Sequence, residues 1–413
     1  MSLANVLLGF LFIVLLGRRF GLGAETDAYF IALSIIVYFE IIVSLSWVSI
    51  KHYYAELRIE LETPLDWTLS ALYTAIFGLS FVVIVIYYFG LRNTELLSLQ
   101  TFQMLDILIL LVLLRSLIKF QKKILNLEHV YWSVYVADAF VITVNLIMMQ
   151  LFDLQNIKYI AYITVFSSVV LAALQFYGVR RITGFKYHFL KYNKNIIKSM
   201  FWASFKLNIS SLLYSTKDLI IISILGSASA GTYSTYSIAS KFVGAVTTVV
   251  TNPIENVYSA RVSELMAHKK FNDAKHLMKK TLRTAAVVLF SACIATYLLL
   301  PIIVQFAFSD SVSKENIQSM IFLFALLSIY QVLKSVELPI KKVLNVLKYF
   351  NYGILINIIY AITVVLSYIV ILQFHLPYWI IFTGIIIGQI VKISCSAVKF
   401  HKAMSHVLFI NKA

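Results

Sequence analysis

Charge is what this sequence has least of. Of its 413 residues only 13% are Asp, Glu, Lys or Arg, while 60% are hydrophobic and the mean hydropathy is +0.85. Such a chain has too little polar surface to cover a water-soluble globule, so it is an integral membrane protein. Cysteine is nearly missing too. Cys293 and Cys395 both lie in apolar runs, which excludes a disulfide framework and a thiolate metal cluster, and the eight histidines are scattered. No metal and no cofactor are expected. Acidic residues number 19 against 35 basic ones, a net charge of +16. In a soluble chain that excess would point to nucleic acid, but here it sorts by side of the membrane and is a topology signal.

What the sequence has in abundance is apolar runs. A span needs ~20 apolar residues to cross a ~30 Å hydrocarbon core, and about twelve segments qualify. Six lie at 3–17, 29–50, 69–89, 104–120, 131–152 and 159–179, and six more at 201–225, 232–255, 284–306, 320–339, 352–373 and 378–398. The first is short for an upright crossing. The expected architecture is all-α, with an N-terminal six-helix lobe at 1–179, a basic cytoplasmic linker at 180–200, a C-terminal six-helix lobe at 201–398 and a cytoplasmic tail at 399–413. Lys and Arg crowd alternate connections, such as 180–198, 261–283 and 341–348, and are nearly absent from the others. By the positive-inside rule both termini are then cytoplasmic, and the chain is multi-pass in a bacterial cytoplasmic (inner) membrane. The segment from Arg261 to Arg283 carries Leu265, Met266, Phe271, Leu277 and Met278 among its bases. It is expected to be an amphipathic helix lying on the cytoplasmic leaflet.

The stretch from Tyr214 to Val246 organises the second half. It reads as an apolar helix carrying Lys217 and Asp218, a small-residue turn from Gly226 to Gly231, and a second helix that buries Lys241. Charges inside spans face a cavity or pair internally. Lys241 and Lys217 are the candidate cavity cations for an anionic substrate. Asp218, Asp27 and Asp138 are gate or coupling candidates, and Glu40, a lone carboxylate in the first lobe, is the candidate for binding a proton or Na⁺. Four further charges have a structural reading: Lys334 and Glu337 as i,i+3 partners, Lys206 and Lys392 snorkelling to the headgroups. The helix start at 22–32 is faintly repeated at 225–235, which suggests duplicated lobes.

The run Gly17-Arg18-Arg19-Phe20-Gly21-Leu22-Gly23-Ala24-Glu25-Thr26-Asp27-Ala28-Tyr29-Phe30 resembles the first external loop of lipid II flippases of the MurJ/MviN type. Asp218, Leu225-Gly226 and Gly231-Thr232-Tyr233-Ser234 are similar to the seventh and eighth helices of Wzx-type polysaccharide (O-antigen) flippases. Both groups belong to the multidrug/oligosaccharidyl-lipid/polysaccharide (MOP) exporter superfamily. The resemblance implies a MATE-like V of two lobes. It also implies a flippase that carries a polyprenyl-diphosphate-linked oligosaccharide to the outer leaflet by alternating access. From the Glu40 carboxylate, coupling to an H⁺ or Na⁺ gradient or to the membrane potential is the expected energy source. Lys241 falls where lipid II flippases place a cavity arginine, whereas Glu40, Val6 and Phe12 fall where they place others. Those departures favour a different glycan, with lipid II and drug-like cations as the rival cargoes. The expected partners are membrane lipids and the lipid-linked glycan, with no nucleic acid and the chain acting as a monomer. A membrane polymerase or ligase is the rival of another class. It is disfavoured by external connections no longer than roughly a dozen residues and by the lack of a nucleophile elbow or phosphate loop, so no enzyme is expected.

Overall fold

In a computed structural model of the chain, residues 2–50, 54, 65–94, 97–188, 194–308, 312–347 and 349–410 are described. Among them the regular structure is helical throughout. The chain divides into two compact units between Leu212 and Leu213.

The first unit holds α1 (Ser2–Phe20), α2 (Ala24–Ser44), α3 (Leu65–Phe89), α4 (Leu99–Leu108), α5 (Leu111–Leu127), α6 (Tyr131–Leu151), α7 (Ile157–Thr183) and the start of α8 (Lys194–Gly226). At its centre is α2, which packs against α3, α4 and α5. Thr26 to Ala32 are buried all round, and further along the buried positions Ile35, Ile36, Glu40 and Val43 keep to one face. The turn into α2 needs a left-handed residue, and Gly21 supplies it at φ 68°. Arg19, in the last turn of α1, closes the end of α6 instead of facing solvent. It donates to the Met149 carbonyl, to the Leu154 carbonyl at 3.0 Å and to Asp153 at 2.6 Å. Those carbonyls have no intrahelical donor, so a guanidinium satisfies them well.

One expected span is not straight. The segment 104–120 straddles a 43° bend between α4 and α5. Arg115, Lys119, Lys122 and Lys123 therefore lie along α5 itself and not in a connection.

The second unit holds the rest of α8 with α9 (Thr232–Ala267), α10 (Phe271–Phe308), α11 (Lys314–Val346), α12 (Phe350–Phe374) and α13 (Ile380–Ile410). Here α11 is the hub, touching α9, α10 and α13, while α12 lies along α13. That last approach is close because Gly384 and Gly388 face α12. A Cβ on Gly384 would collide with the Ser367 side chain, and one on Gly388 would sit 3.1 Å from the Tyr360 ring. The expected hairpin is present: α8 ends at Gly226, and α9 starts after Gly231 at φ 89°. The Thr235 hydroxyl returns to the Gly231 carbonyl at 2.7 Å. Both repeated helix starts thus follow a left-handed glycine, Gly21 and Gly231.

Among the described residues eight helices are long and apolar enough to cross a membrane, and the bent α4–α5 pair makes a ninth if it is one span. The sequence reading of about twelve also counts α1, α6 and α9, helices of 19, 21 and 36 residues.

The stretch 261–283 departs from expectation. It is not one helix on a membrane surface but the ends of α9 and α10 with a turn at 268–270, where Lys269 takes φ 58°. Its apolar residues face inward. Val262, Met266, Ala274 and Met278 form a buried cluster with Tyr258, Ile340, Val343, Leu344, Phe400, Ala403 and Met404, and Leu265, Phe271 and Leu277 pack on it. At ~1.5 Å per residue α9 and α10 are each over ~50 Å long, well beyond the core thickness. Their ends therefore meet α11 and α13 beyond the membrane, and the bases line the outside of that small bundle. Met278→Ala should cost about 2–4 kcal/mol by removing buried volume. Thermal unfolding of the detergent-solubilised protein should register the loss, whereas a lipid-lying helix would leave its melting temperature unchanged.

Candidate functional site

The second unit gathers charge and tyrosine at one place. Tyr214, Lys217 and Asp218 share one face of α8 by the i,i+3,i+4 rule, as do Tyr330, Lys334 and Glu337 on α11 and Gln389 and Lys392 on α13. Tyr360 joins them from α12. Tyr214 is the common neighbour. Its ring stacks on Tyr360 with centroids 5.2 Å apart, and its hydroxyl hydrogen-bonds to that of Tyr330. Three ammonium groups lie near that ring: Lys392 at 4.3 Å from the centroid, Lys217 at 5.3 Å and Lys334 at 5.7 Å. Electron-rich ring faces attract cations, most strongly where water is scarce.

Two carboxylates answer these three cations. Lys217 pairs with its neighbour Asp218. Glu337 is held 3.3 Å from Lys392 and accepts from Gln389 at 3.0 Å, with the Lys392 and Glu337 side chains only 4% and 7% exposed. Lys334 has no carboxylate partner among the described residues. The constellation is therefore one positive charge in excess. Beside it opens a cavity of about 90 Å³ lined by Lys217, Asp218, Tyr236, Ser240, Tyr330 and Gln331. Its rim carries one charge of each sign and several hydroxyls on an aromatic wall. An anionic group with sugar-like hydroxyls and apolar faces suits such a lining.

Two expectations are corrected here. Lys334 and Glu337 do not neutralise each other: Glu337 reaches across to α13, where Gln389 and Lys392, on adjacent turns, both meet its Oε2. Nor does Lys392 snorkel, because it is enclosed between Glu337 and the Tyr214 and Tyr360 rings.

The other candidates lie apart. Lys241 is exposed on α9 and not buried by its helix. The cause is its neighbours: Phe242 and Val243 take the inward positions, leaving residue 241 on the outer face. Lys206 is likewise exposed on α8. Asp27 sits in the first turn of α2 at 8% exposure, where a carboxylate suits the helix dipole. Glu40 is not a lone carboxylate. It bonds to Lys119 and lies 3.4 Å from Arg115, so α5 supplies it with two cations. The side chain of Asp138 lies outside the described residues. Tyr214, Tyr330 and Tyr360 were not singled out from sequence. The Tyr214–Lys217 spacing was a signal, but the other two gain meaning only when α11 and α12 pack beside α8. No group of three or more potential metal ligands occurs among the described residues.

No family model matches the sequence, and no curated protein does. Solved structures do. A structure described as "Lipid II flippase MurJ, inward closed conformation" superposes with TM-score 0.78 at 15% identity, over 98% of this chain and 89% of the other. An inward-facing MATE-family multidrug resistance transporter of the MOP superfamily gives 0.77 at 13%, over 98% and 95%. This is the MOP-superfamily fold. A further MOP superfamily transporter, from Pyrococcus furiosus, gives 0.65 at 14%, over 98% and 94%. The likeness covers both units, from α1 to α13, and is one of fold.

The buried pair makes a sharp test. Removing one partner strands a charge, at a cost of about 3–5 kcal/mol, whereas replacing both by neutral groups of similar volume is often near neutral. Glu337→Gln and Lys392→Met should each lower the melting temperature in detergent, and the double variant should recover most of the loss. Losses that simply add would separate the two groups energetically.

Proposed function

We propose that the protein is a flippase that moves a polyprenyl-diphosphate-linked oligosaccharide from the cytoplasmic to the outer leaflet of a bacterial inner membrane by alternating access, supplying surface polysaccharide. The observation that carries this reading is the net-cationic, tyrosine-lined constellation around Tyr214 in a chain with the MOP fold. A diphosphate needs cations in a site poor in water, and sugars stack their apolar faces on aromatic rings. Lys217 meets the diphosphate first because it is both on the cavity wall and near two tyrosine rings. Lys241, which follows the pocket residue Ser240 on α9, is the second candidate contact and would reach the part of the diphosphate outside the pocket. Tyr236 and Tyr330 offer hydroxyls and ring faces to the glycan.

Asp218 holds Lys217 until substrate arrives, so the phosphate displaces a carboxylate and the pair acts as a gate. Glu40, Asp27 and Asp138 are the first-unit candidates for coupling to an H⁺ or Na⁺ gradient. Both termini face the cytoplasm, following the distribution of Lys and Arg. The chain works as a monomer without a cofactor. The basic linker at 180–200 joins the two six-helix lobes.

Lipid II is the second reading for cargo. It is favoured by the TM-score of 0.78 to the MurJ structure and by the 17–30 loop.

A genetic export assay tests the site. In a host whose own polysaccharide flippase is deleted, Lys217→Ala and Lys241→Ala should each reduce surface glycan by roughly tenfold or more, the share of one charge-assisted contact of about 1.5–3 kcal/mol. Lys241→Arg should retain part of the export, since it keeps the charge. Full export by both alanine variants, at normal protein level, would remove the site assignment. Rescue of lipid II transport in place of polysaccharide export would decide for the second cargo.

A further inference from the structure

At the end of the second unit where α11 gives way to α12 lies a separate, partly open pocket. It is lined by Lys341, Asn345, Tyr349, Tyr352, Lys392 and Ser396, with apolar wall from Leu344 and Ile356. The charges around it do not balance. Lys341 is exposed and has no carboxylate partner among the described residues. Lys399 stands over the Tyr349 ring at 4.5 Å and the Tyr352 ring at 5.4 Å, likewise without a carboxylate. Lys392 is 4% exposed and shares the one acid on the wall, Glu337, which is itself engaged by Gln389. Three lysines against one carboxylate leave two positive charges unanswered, more than enough to meet the single negative charge of a phosphodiester.

The walls are preformed. Tyr352 is fixed by its hydroxyl to the Cys395 carbonyl at 2.8 Å, and both tyrosines rest on the buried cluster of Val262, Met266, Val343 and Phe400. The chain also leaves space at Gly353, where a Cβ would meet no atom within 4 Å.

We propose that this cavity is a binding site for the phosphate group of an anionic membrane lipid. The lipid source follows from position. The pocket opens at the end of membrane-length helices and beside basic helix ends, where Lys and Arg meet anionic headgroups. Its wall is polar at the lysines and apolar at Leu344 and Ile356, matching a headgroup joined to an acyl chain. The proposal does not rest on the transport reading: a chain that held such a lipid and exported no glycan would satisfy it.

The test uses the full-length protein in neutral detergent, titrated with phosphatidylglycerol and, separately, with phosphatidylcholine, while the melting temperature is read. Phosphatidylglycerol should give a saturable rise and phosphatidylcholine none. The K341Q/K399Q variant should need about thirtyfold more phosphatidylglycerol for half the rise, the share of two near-surface cations. K279Q/K280Q, which removes two exposed lysines of α10, should leave the titration within about twofold, as screened surface charges do. Gly353→Leu keeps every charge and fills the space, and it too should weaken the response. If its own melting point shows a folding defect, K341Q/K399Q carries the test. Equal weakening by both lysine pairs would mean diffuse surface charge and overturn the site. A saturable rise with inorganic phosphate alone, at the same concentrations, would overturn the lipid source.

Discussion

A charge taken into a membrane-spanning bundle must be met there, because no water stands ready to meet it. Among the described residues each unit has a buried carboxylate met by cations or amides of another helix: Glu40 on α2 by Arg115 and Lys119 of α5, Glu337 on α11 by Lys392 and Gln389 of α13. These contacts fix which helix faces turn inward. With α5 held to α2, the bend before it directs the rest of that helix along the unit. With α13 held to α11, Tyr360 of the adjoining α12 comes to rest on Tyr214. In lipid there is little hydrophobic driving force between helices, so pairings of this kind and close backbone approaches such as that at Gly384 carry much of the specificity.

The second unit assembles more cations than acids at two neighbouring places, and Lys392 and Glu337 border both. Around Tyr214 the surplus is buffered by ring faces; near Tyr349 it is partly open. A buried ion pair between two cation-rich pockets is sensitive to both, since an anion entering either competes with Glu337 for lysine. The arrangement thus joins the constellation around Tyr214 to the pocket at Tyr349 in the same unit through a single side-chain contact.

Much of the fold was legible from hydropathy, because a helix in lipid needs a long apolar run and little else. The hairpin at 226–231 was legible too, because a run of small residues between two apolar segments suits a tight turn; the left-handed glycines before the two helix starts, Gly21 and Gly231, emerged only from the structure. Nor were other features legible. The bend between α4 and α5 has no proline or glycine to announce it. The segment 261–283 has the composition of a lipid-surface helix, and only the presence of α11 and α13 beside it turns its apolar side inward. Lys217 and Asp218 were identified from sequence because they sit together in an apolar run. Their tyrosine surroundings come from α9, α11 and α12, and sequence distance hides that. Lys241 illustrates the converse: its place two turns inside a helix said nothing about which side of the helix it occupies.

The extension of α9 and α10 beyond the hydrocarbon has a thermodynamic consequence. Most of the unit has lipid as its solvent, and its helices gain little from hiding apolar surface from lipid. The cluster of Val262, Met266, Met278 and Val343 instead excludes water, so it carries the large heat-capacity change typical of aqueous cores. Urea and cold should loosen that end first, while the spans beneath it stay helical. The protein thus has two kinds of stability in one continuous set of helices, each answering to a different solvent.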